Sequence, residues 1–166
     1  DNAYLTLQSF TISVWTNMES ISGSDVIFQS GNLVIGTLYG VLLTAVGGSD
    51  CIRFLISTGS VGGDREIDSN TGYLTDGIWH NIVCIYDGTW MFLYVDGILN
   101  SSLEAPITIG YGNGNAVIGA GYESLGPSFY NYFNGKIDEF IFESKIWDAR
   151  QVRNYYTYTK GRFARN

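Results

Sequence analysis

WHNIVCIYDGTWMFLYVDG, residues 79–97, reads as two strands joined at Asp87-Gly88, with a second tight turn at Asp96-Gly97 handing the chain to a third strand. Asp-Gly suits hairpin turns because their central residues need positive φ, which glycine adopts freely and aspartate tolerates. Alternation then divides the stretch into two faces. Ile82, Cys84, Tyr86, Met91, Leu93 and Val95 share the face expected to enter a core, and Val83, Ile85, Trp90, Phe92 and Tyr94 share the other.

Working outward, the 166 residues fit a single domain, residues 1–166, with a core large enough to need no disulfides. Glycine is abundant at 21, proline scarce at 2, and aromatics reach 15%. No long window shows helical periodicity before the C-terminus, so the composition points to an all-β fold of many strands with glycine turns. A net charge of −7, with nine basic residues scattered along the chain, argues against nucleic acid as a partner, since that surface needs a basic stripe. No run approaches the roughly 18 apolar residues of a membrane span, so no membrane insertion is expected. With neither a signal peptide nor an initiator methionine, the expectation is a mature or excised part of a larger protein. Charged residues make up 15%, against about 25% in an ordinary soluble domain, which suggests that some surface is covered by something other than water.

The opening residues alternate as two short strands, the second carrying Phe10, Ile12 and Val14 on one face. Further strands are expected at 26–29, 41–45, 51–57, 65–68, 107–109, 116–118 and 136–143, with a long loop over 119–134. In the tail, Asp148 is placed as an N-cap, Gln151 completes a capping box, and Trp147 and Val152 form a hydrophobic staple. A short helix over 149–156 follows, closing one end of the fold. Cys51 has the parity of Arg53 while Ile52, Phe54 and Ile56 have the other; a Cys51–Cys84 bridge and two free small hydrophobes are both open, the second favoured by the demanding geometry of a disulfide.

Residues 79–97, then NGKIDEFIFESKIW and the capped helix, with YLTLQSFTISVW at the start, resemble the laminin G-like and pentraxin-like domains of the concanavalin A-like lectin/glucanase superfamily. The resemblance spans nearly the whole chain. It implies a jelly-roll sandwich of two antiparallel sheets with one short C-terminal helix, in a secreted or surface protein of a cell or viral particle, binding carbohydrate and often Ca²⁺. Fold does not fix function, so each site is argued separately.

Asp138 has the parity of Phe140 and Phe142 and is expected to face inward near a strand start, where a carboxylate is costly unless it meets a cation or several N–H donors. Related sandwiches often use an Asp at this motif with N-terminal groups to hold a structural Ca²⁺, and Asp1 and Asn2 could join it here. The plain alternative is Asp138 accepting bonds from turn N–H groups. The long loop GYESLGPSFYNYFNG carries Tyr122, Phe129, Tyr130, Tyr132 and Phe133 with Glu123 and Asn131, and Tyr111 of YGNGN lies close in sequence. Tyr111, Tyr122, Tyr130, Asn131 and Tyr132 are the candidate ligand residues, because tyrosine offers an aromatic face to a sugar and a polar tip at low entropic cost. Packing of the same aromatics onto the sandwich is the competing reading.

Trp90, Phe92 and Tyr94 depart from the family by pointing outward, where relatives commonly place polar residues, and with Val83, Ile85 and Ile141 they make an apolar outer face. Such a face marks an interface with a protein partner or a homo-oligomer, or it is covered within the monomer by the C-terminal helix, a loop or a curved central strand. Catalysis is not expected. Glu66-Ile67-Asp68 matches part of the E-x-D-x-x-E motif of laminarinase-type hydrolases, but Thr71 occupies the third carboxylate position, and the lone His80 has no nucleophile elbow to serve. Asn100-Ser101-Ser102 is an N-glycosylation sequon. The sequence therefore supports a non-catalytic extracellular carbohydrate-binding or adhesion module, with a structural or protein-interaction domain as the alternative.

Overall fold

A computed structural model describes residues 7–21, 23–34, 37–70, 74, 77–112, 115–123 and 128–164. The elements run β1 (Phe10–Met18), β2 (Ser24–Val34), β3 (Thr37–Val46), β4 (Cys51–Thr58), β5 (Asp64–Asp68), β6 (Trp79–Tyr86), β7 (Trp90–Val95), β8 (Ile98–Glu104), β9 (Ala116–Ile118), β10 (Gly121–Glu123), β11 (Ser128–Tyr130), β12 (Gly135–Glu143) and α1 (Ala149–Phe163). One sheet has the order β12-β1-β6-β7-β8, and the other β11-β10-β2-β3-β4-β5 with β9 also on β2. This is the expected sandwich. Its pairs are antiparallel apart from β10, which meets β2 in parallel at Glu123 and Leu33.

Both turns of the decisive stretch fall where expected, but only the second has positive φ at both residues of its Asp-Gly pair; at the first, the Asp87 N–H donates to the Trp90 carbonyl at 3.2 Å, leaving Gly88 and Thr89 as the central residues. Gly88 has φ 98 at the first turn, where the Asp87 carboxylate accepts the N–H groups of Thr89 and Trp90 at 2.8 and 2.7 Å. At the second, Asp96 and Gly97 both have positive φ, 52 and 77, as a two-residue hairpin whose twist matches its strands requires. Asp96 also accepts the Asn81 N–H at 2.9 Å and lies 2.8 Å from His80 Nδ1, so the lone histidine braces a hairpin. Ile82, Cys84, Tyr86, Met91, Leu93 and Val95 all sit in the core, against Ile52, Phe54 and Ile56 of the facing sheet. Phe10 packs edge-on to Phe54 and Phe142 with ring centroids at 6.1 and 5.3 Å, a geometry that the ring quadrupole favours. The two cysteines are free and buried, with Cys84 in this core and Cys51 outside it.

Three local expectations change. Residues 107–109 form no strand, the 119–134 stretch contains β10 and β11, and the helix continues to Phe163. The capping box forms as read, Asp148 accepting the Gln151 N–H at 2.7 Å and Gln151 Oε1 accepting the Asp148 N–H at 2.9 Å. The longer helix lies across the outer face of the first sheet. Val152 is completely buried there with Val83, Ile85 and Tyr94, while Phe92 and Trp147 pack at the margin. Farther along, Trp15 stacks on Phe163 at 4.3 Å and on Tyr156 at 5.8 Å. Tyr156 comes so close to the second hairpin turn that a Cβ on Gly97 would sit 3.1 Å from it.

Candidate functional site

The expected ligand residues separate into a group that meets and one that does not. Tyr111 is 7% exposed and belongs to the core, its hydroxyl donating to the Leu7 carbonyl at 2.5 Å. Burial pushes its pKa up. This corrects its assignment to the ligand surface: its place is structural.

Tyr122, Tyr130, Asn131 and Tyr132 do come together, on the small rim formed by β10 and β11. The rim is fastened to the sandwich by Gln29, which lies on the opposite face of β2 from the core residue Phe28. The Gln29 amide donates to the Tyr122 carbonyl at 2.9 Å, and its oxygen accepts the Tyr122 N–H at 3.0 Å, replacing a backbone pair with a side chain. Tyr130 is half-buried and its hydroxyl reaches to 3.5 Å from the same Gln29 oxygen. Burial, with the charge of Glu123 second, raises the Tyr130 pKa. Its ring lies on Gly121, where a Cβ would come 2.5 Å from the ring, so a larger residue there would displace Tyr130. Asn131 has φ 47 and its carbonyl accepts the Val26 N–H at 2.8 Å; it turns the chain while its side chain stays at the surface.

The positive φ of Asn131 breaks the strand alternation and so divides the aromatics. Tyr130 and Phe133 turn toward the protein, and Phe133 packs against the core. Phe129 and Tyr132 remain 53% and 66% exposed. Tyr122 is Phe129's partner in the β10–β11 pair, so their rings share a face, with centroids 5.7 Å apart. Phe129 was legible as one aromatic among several in the loop, but its exposure follows from the β10–β11 pairing, which the sequence did not announce. The resulting surface presents the exposed Phe129 ring beside the half-buried Tyr122 ring, followed along the chain by the exposed Asn131 and Tyr132, while Glu123 lies on the opposite face of the β10–β11 pair with Tyr130; the exposed rings can stack on a flat apolar face.

The metal expectation rested on an inward Asp138, and this placement is corrected. Register shifts by one residue between Ser13↔Ile141 and Trp15↔Asp138, and Glu139 has φ 50. This β-bulge inserts a residue and reverses parity beyond it. Phe142 and Phe140 face the core, while Asp138 pairs beside Trp15 and is exposed. Its carboxylate accepts the Glu139 N–H at 2.7 Å, the plain alternative noted above. Asp1 and Asn2 lie outside the described residues. Among the described residues no group of three His, Cys, Asp or Glu side chains is placed to hold a metal.

The outer-face expectation also changes. Tyr94 is 7% exposed beneath α1 and Phe92 is half-buried, so the helix covers the centre of the patch; Trp90, 40% exposed, stays at its edge and stacks near Phe92 at 6.4 Å. On the other sheet, Glu66 and Asp68 flank the inward Ile67 and are both engaged by one guanidinium. Arg53 donates to Asp68 twice at 2.8 Å and lies 3.4 Å from Glu66. The hydrogen bond to Asp68 raises the Arg53 pKa further. Thr71 lies outside the described residues. Asn100 of the sequon sits within β8, its side-chain oxygen accepting the Asn70 N–H at 2.6 Å.

The family model described as the concanavalin A-like lectin/glucanases superfamily matches residues 1–153. The chain belongs to this superfamily. No curated protein sequence matches the chain. Among solved structures, the concanavalin A-like sandwich found here is similar to the CBM40 of Ruminococcus gnavus IT-sialidase, with TM-score 0.76 and 13% identity over 92% of this chain and 84% of that one. A second structure of that CBM40, bound to alpha2,3 sialyllactose, matches with TM-score 0.77, 14% identity and the same coverage. The native heptameric SAP-like pentraxin from Limulus polyphemus matches with TM-score 0.68 and 13% identity, over 90% of this chain and 70% of that one. Identities this low establish the shared architecture. No helix among the described residues is long and apolar enough to cross a membrane.

Proposed function

We propose that the chain is a non-catalytic, extracellular carbohydrate-binding or adhesion module that meets its glycan on the β10–β11 rim. The observation that carries this reading is the exposure of Phe129 and Tyr132, 53% and 66%, on a rim that Gln29 holds in place. An exposed aromatic ring on a fixed support stacks on the C–H face of a pyranose with little entropy left to lose. The exposed Asn131 supplies hydrogen-bonding groups beside Tyr132. The fold neighbours named as sugar-bound choose the first probes, and sialyllactose belongs among them beside neutral oligosaccharides. Calcium keeps one described donor in this reading, the exposed Asp138 carboxylate, as a surface ion on the sandwich.

A glycan array tests the proposal. The intact chain is expected to retain a restricted set of glycans, and Phe129→Ala with Tyr132→Ala to lose them while the melting temperature stays within a few degrees, since both rings are largely exposed. Undiminished retention by the double variant would remove the rim from the account.

The alternative, a protein-interaction domain, draws on a different observation. Trp90 remains exposed at the end of an outer face that α1 covers only in part.

A further inference from the structure

Along one flank of α1, a groove of about 530 Å³ separates the helix from the β7–β8 hairpin. Tyr94, Gly97, Ile98 and Leu99 form its apolar side, and Arg150 and Arg153 stand on the helix side. Ile98 and Leu99 are 67% and 49% exposed, unusual for large aliphatic side chains beside an otherwise well-packed helix. The two arginines break a local rule. Helix N-termini favour acidic residues because the backbone dipole is positive there, yet the first turn of α1 holds no acid. Three other basic groups are engaged, Arg53 by Asp68 and Glu66, Arg162 by Glu139, and Lys160 over the Tyr156 ring. Arg150 and Arg153 are exposed and have no ion pair among the described residues, and the nearby Asp148 carboxylate is occupied in capping Gln151. On a chain of net charge −7 this sets two exposed guanidinium groups against an apolar trough. The apolar surface also continues along β7 through half-buried Phe92 to Trp90, four residues from Tyr94, about 13 Å along a strand.

We propose that this groove receives an acidic peptide segment of a partner protein, with an apolar side chain seated over Tyr94, Ile98 and Leu99 and carboxylates paired with Arg150 and Arg153. Charge complementarity selects an anion, and arginine's fork suits carboxylates in particular. The apolar floor selects a peptide over a sulfated polysaccharide, which has no group that gains from burial against leucine and isoleucine. The groove lies on the five-stranded sheet and the glycan rim belongs to the other, so either proposal can fail without the other.

The test is fluorescence anisotropy on the whole chain with the fluorescein-labelled peptides EDELDFDE and EDESDSDE, and with unlabelled heparin as competitor. The first peptide is expected to bind, and the second at least about tenfold more weakly, a difference of about 1.4 kcal/mol. Arg150→Glu with Arg153→Glu is expected to weaken the first by at least about tenfold, and Arg150→Gln with Arg153→Gln to weaken it less. Leu99→Ser should lower affinity without altering the salt dependence, and circular dichroism melting of each variant checks that the fold persists. Equal binding of the two peptides, indifference to the arginine changes in folded variants, or displacement of the peptide by heparin independent of Leu99 would each overturn the proposal. So would failure of EDELDFDE to bind.

Discussion

The indole N–H of Trp15, in the first strand of the sandwich, donates to the hydroxyl of Thr159, 144 residues later in the last turns of α1, at 3.2 Å. Both residues are buried, at 1% and 3% exposure, and Thr159 in turn donates to the Tyr155 carbonyl at 2.8 Å. This link, with the Trp15 stacks on Tyr156 and Phe163, makes the helix part of the folded unit. Thr159→Val keeps the shape and removes the acceptor, leaving an indole N–H buried and unpaired. The expected cost is about 1–3 kcal/mol, read as a lower midpoint in urea unfolding at unchanged m-value.

Covering an apolar sheet face has a converse. Val152→Asp places a charge in the apolar cluster of Val83, Ile85 and Tyr94, where Val152 is completely buried. The helix is expected to detach, exposing the outer face, and sedimentation velocity should then show concentration-dependent association that the unaltered chain lacks. A monomer that melts like the unaltered chain would mean that α1 contributes little to closure.

Tyr155 gives a pH dependence. Its hydroxyl donates to Glu139 Oε2 at 3.2 Å, and burial followed by the Glu139 charge pushes its pKa up to about 12. An unfolded tyrosine ionises near 10. Because the folded value is the higher, the contribution is complete below pH about 10 and falls away as pH rises toward 12, when the unfolded state loses its proton first. Melting temperature should therefore drop over this interval, and Tyr155→Phe should drop less steeply there.

How much of this was legible in the sequence depended on local chemistry. The hairpin faces, the capping box and the core strands follow from alternation and turn residues, which act over a few positions, and they appear where expected. Asp138 was misplaced because one bulged residue at Glu139 reverses parity, and no motif announces an aspartate–glutamate pair as a bulge. The bulge also turns the Glu139 carboxylate to Tyr155 and Arg162, so it serves the helix. The ligand loop was legible in composition and not in direction. Tyr111 turns inward to reach the Leu7 carbonyl, 104 residues away, and Tyr130 and Phe129 take opposite faces through the β10–β11 pairing; sequence spacing carries no record of either contact. The outer face was read correctly as apolar; Val152, inside the expected helix, covers its centre, and the seven residues past the expected end bring Thr159 and Phe163 onto Trp15.

Calcium is tested by melting with the ion and with a chelator. An exposed carboxylate already bonded to the Glu139 N–H is a weak donor, comparable at best to the low-affinity end of calcium sites. At about 1 mM Ca²⁺ the expected rise is at most about 1–2 °C, abolished by Asp138→Asn. A large rise that survives this substitution would place a calcium site elsewhere.

The central claim is that a glycan binds on the β10–β11 rim. ¹⁵N-labelled chain titrated with an array-selected oligosaccharide tests it most directly. The account predicts saturable shifts of the Tyr122, Glu123 and Phe129–Tyr132 amides, with Val152 and Arg153 on the helix unmoved. Saturable shifts confined to other surfaces, with the rim amides unchanged, would contradict it.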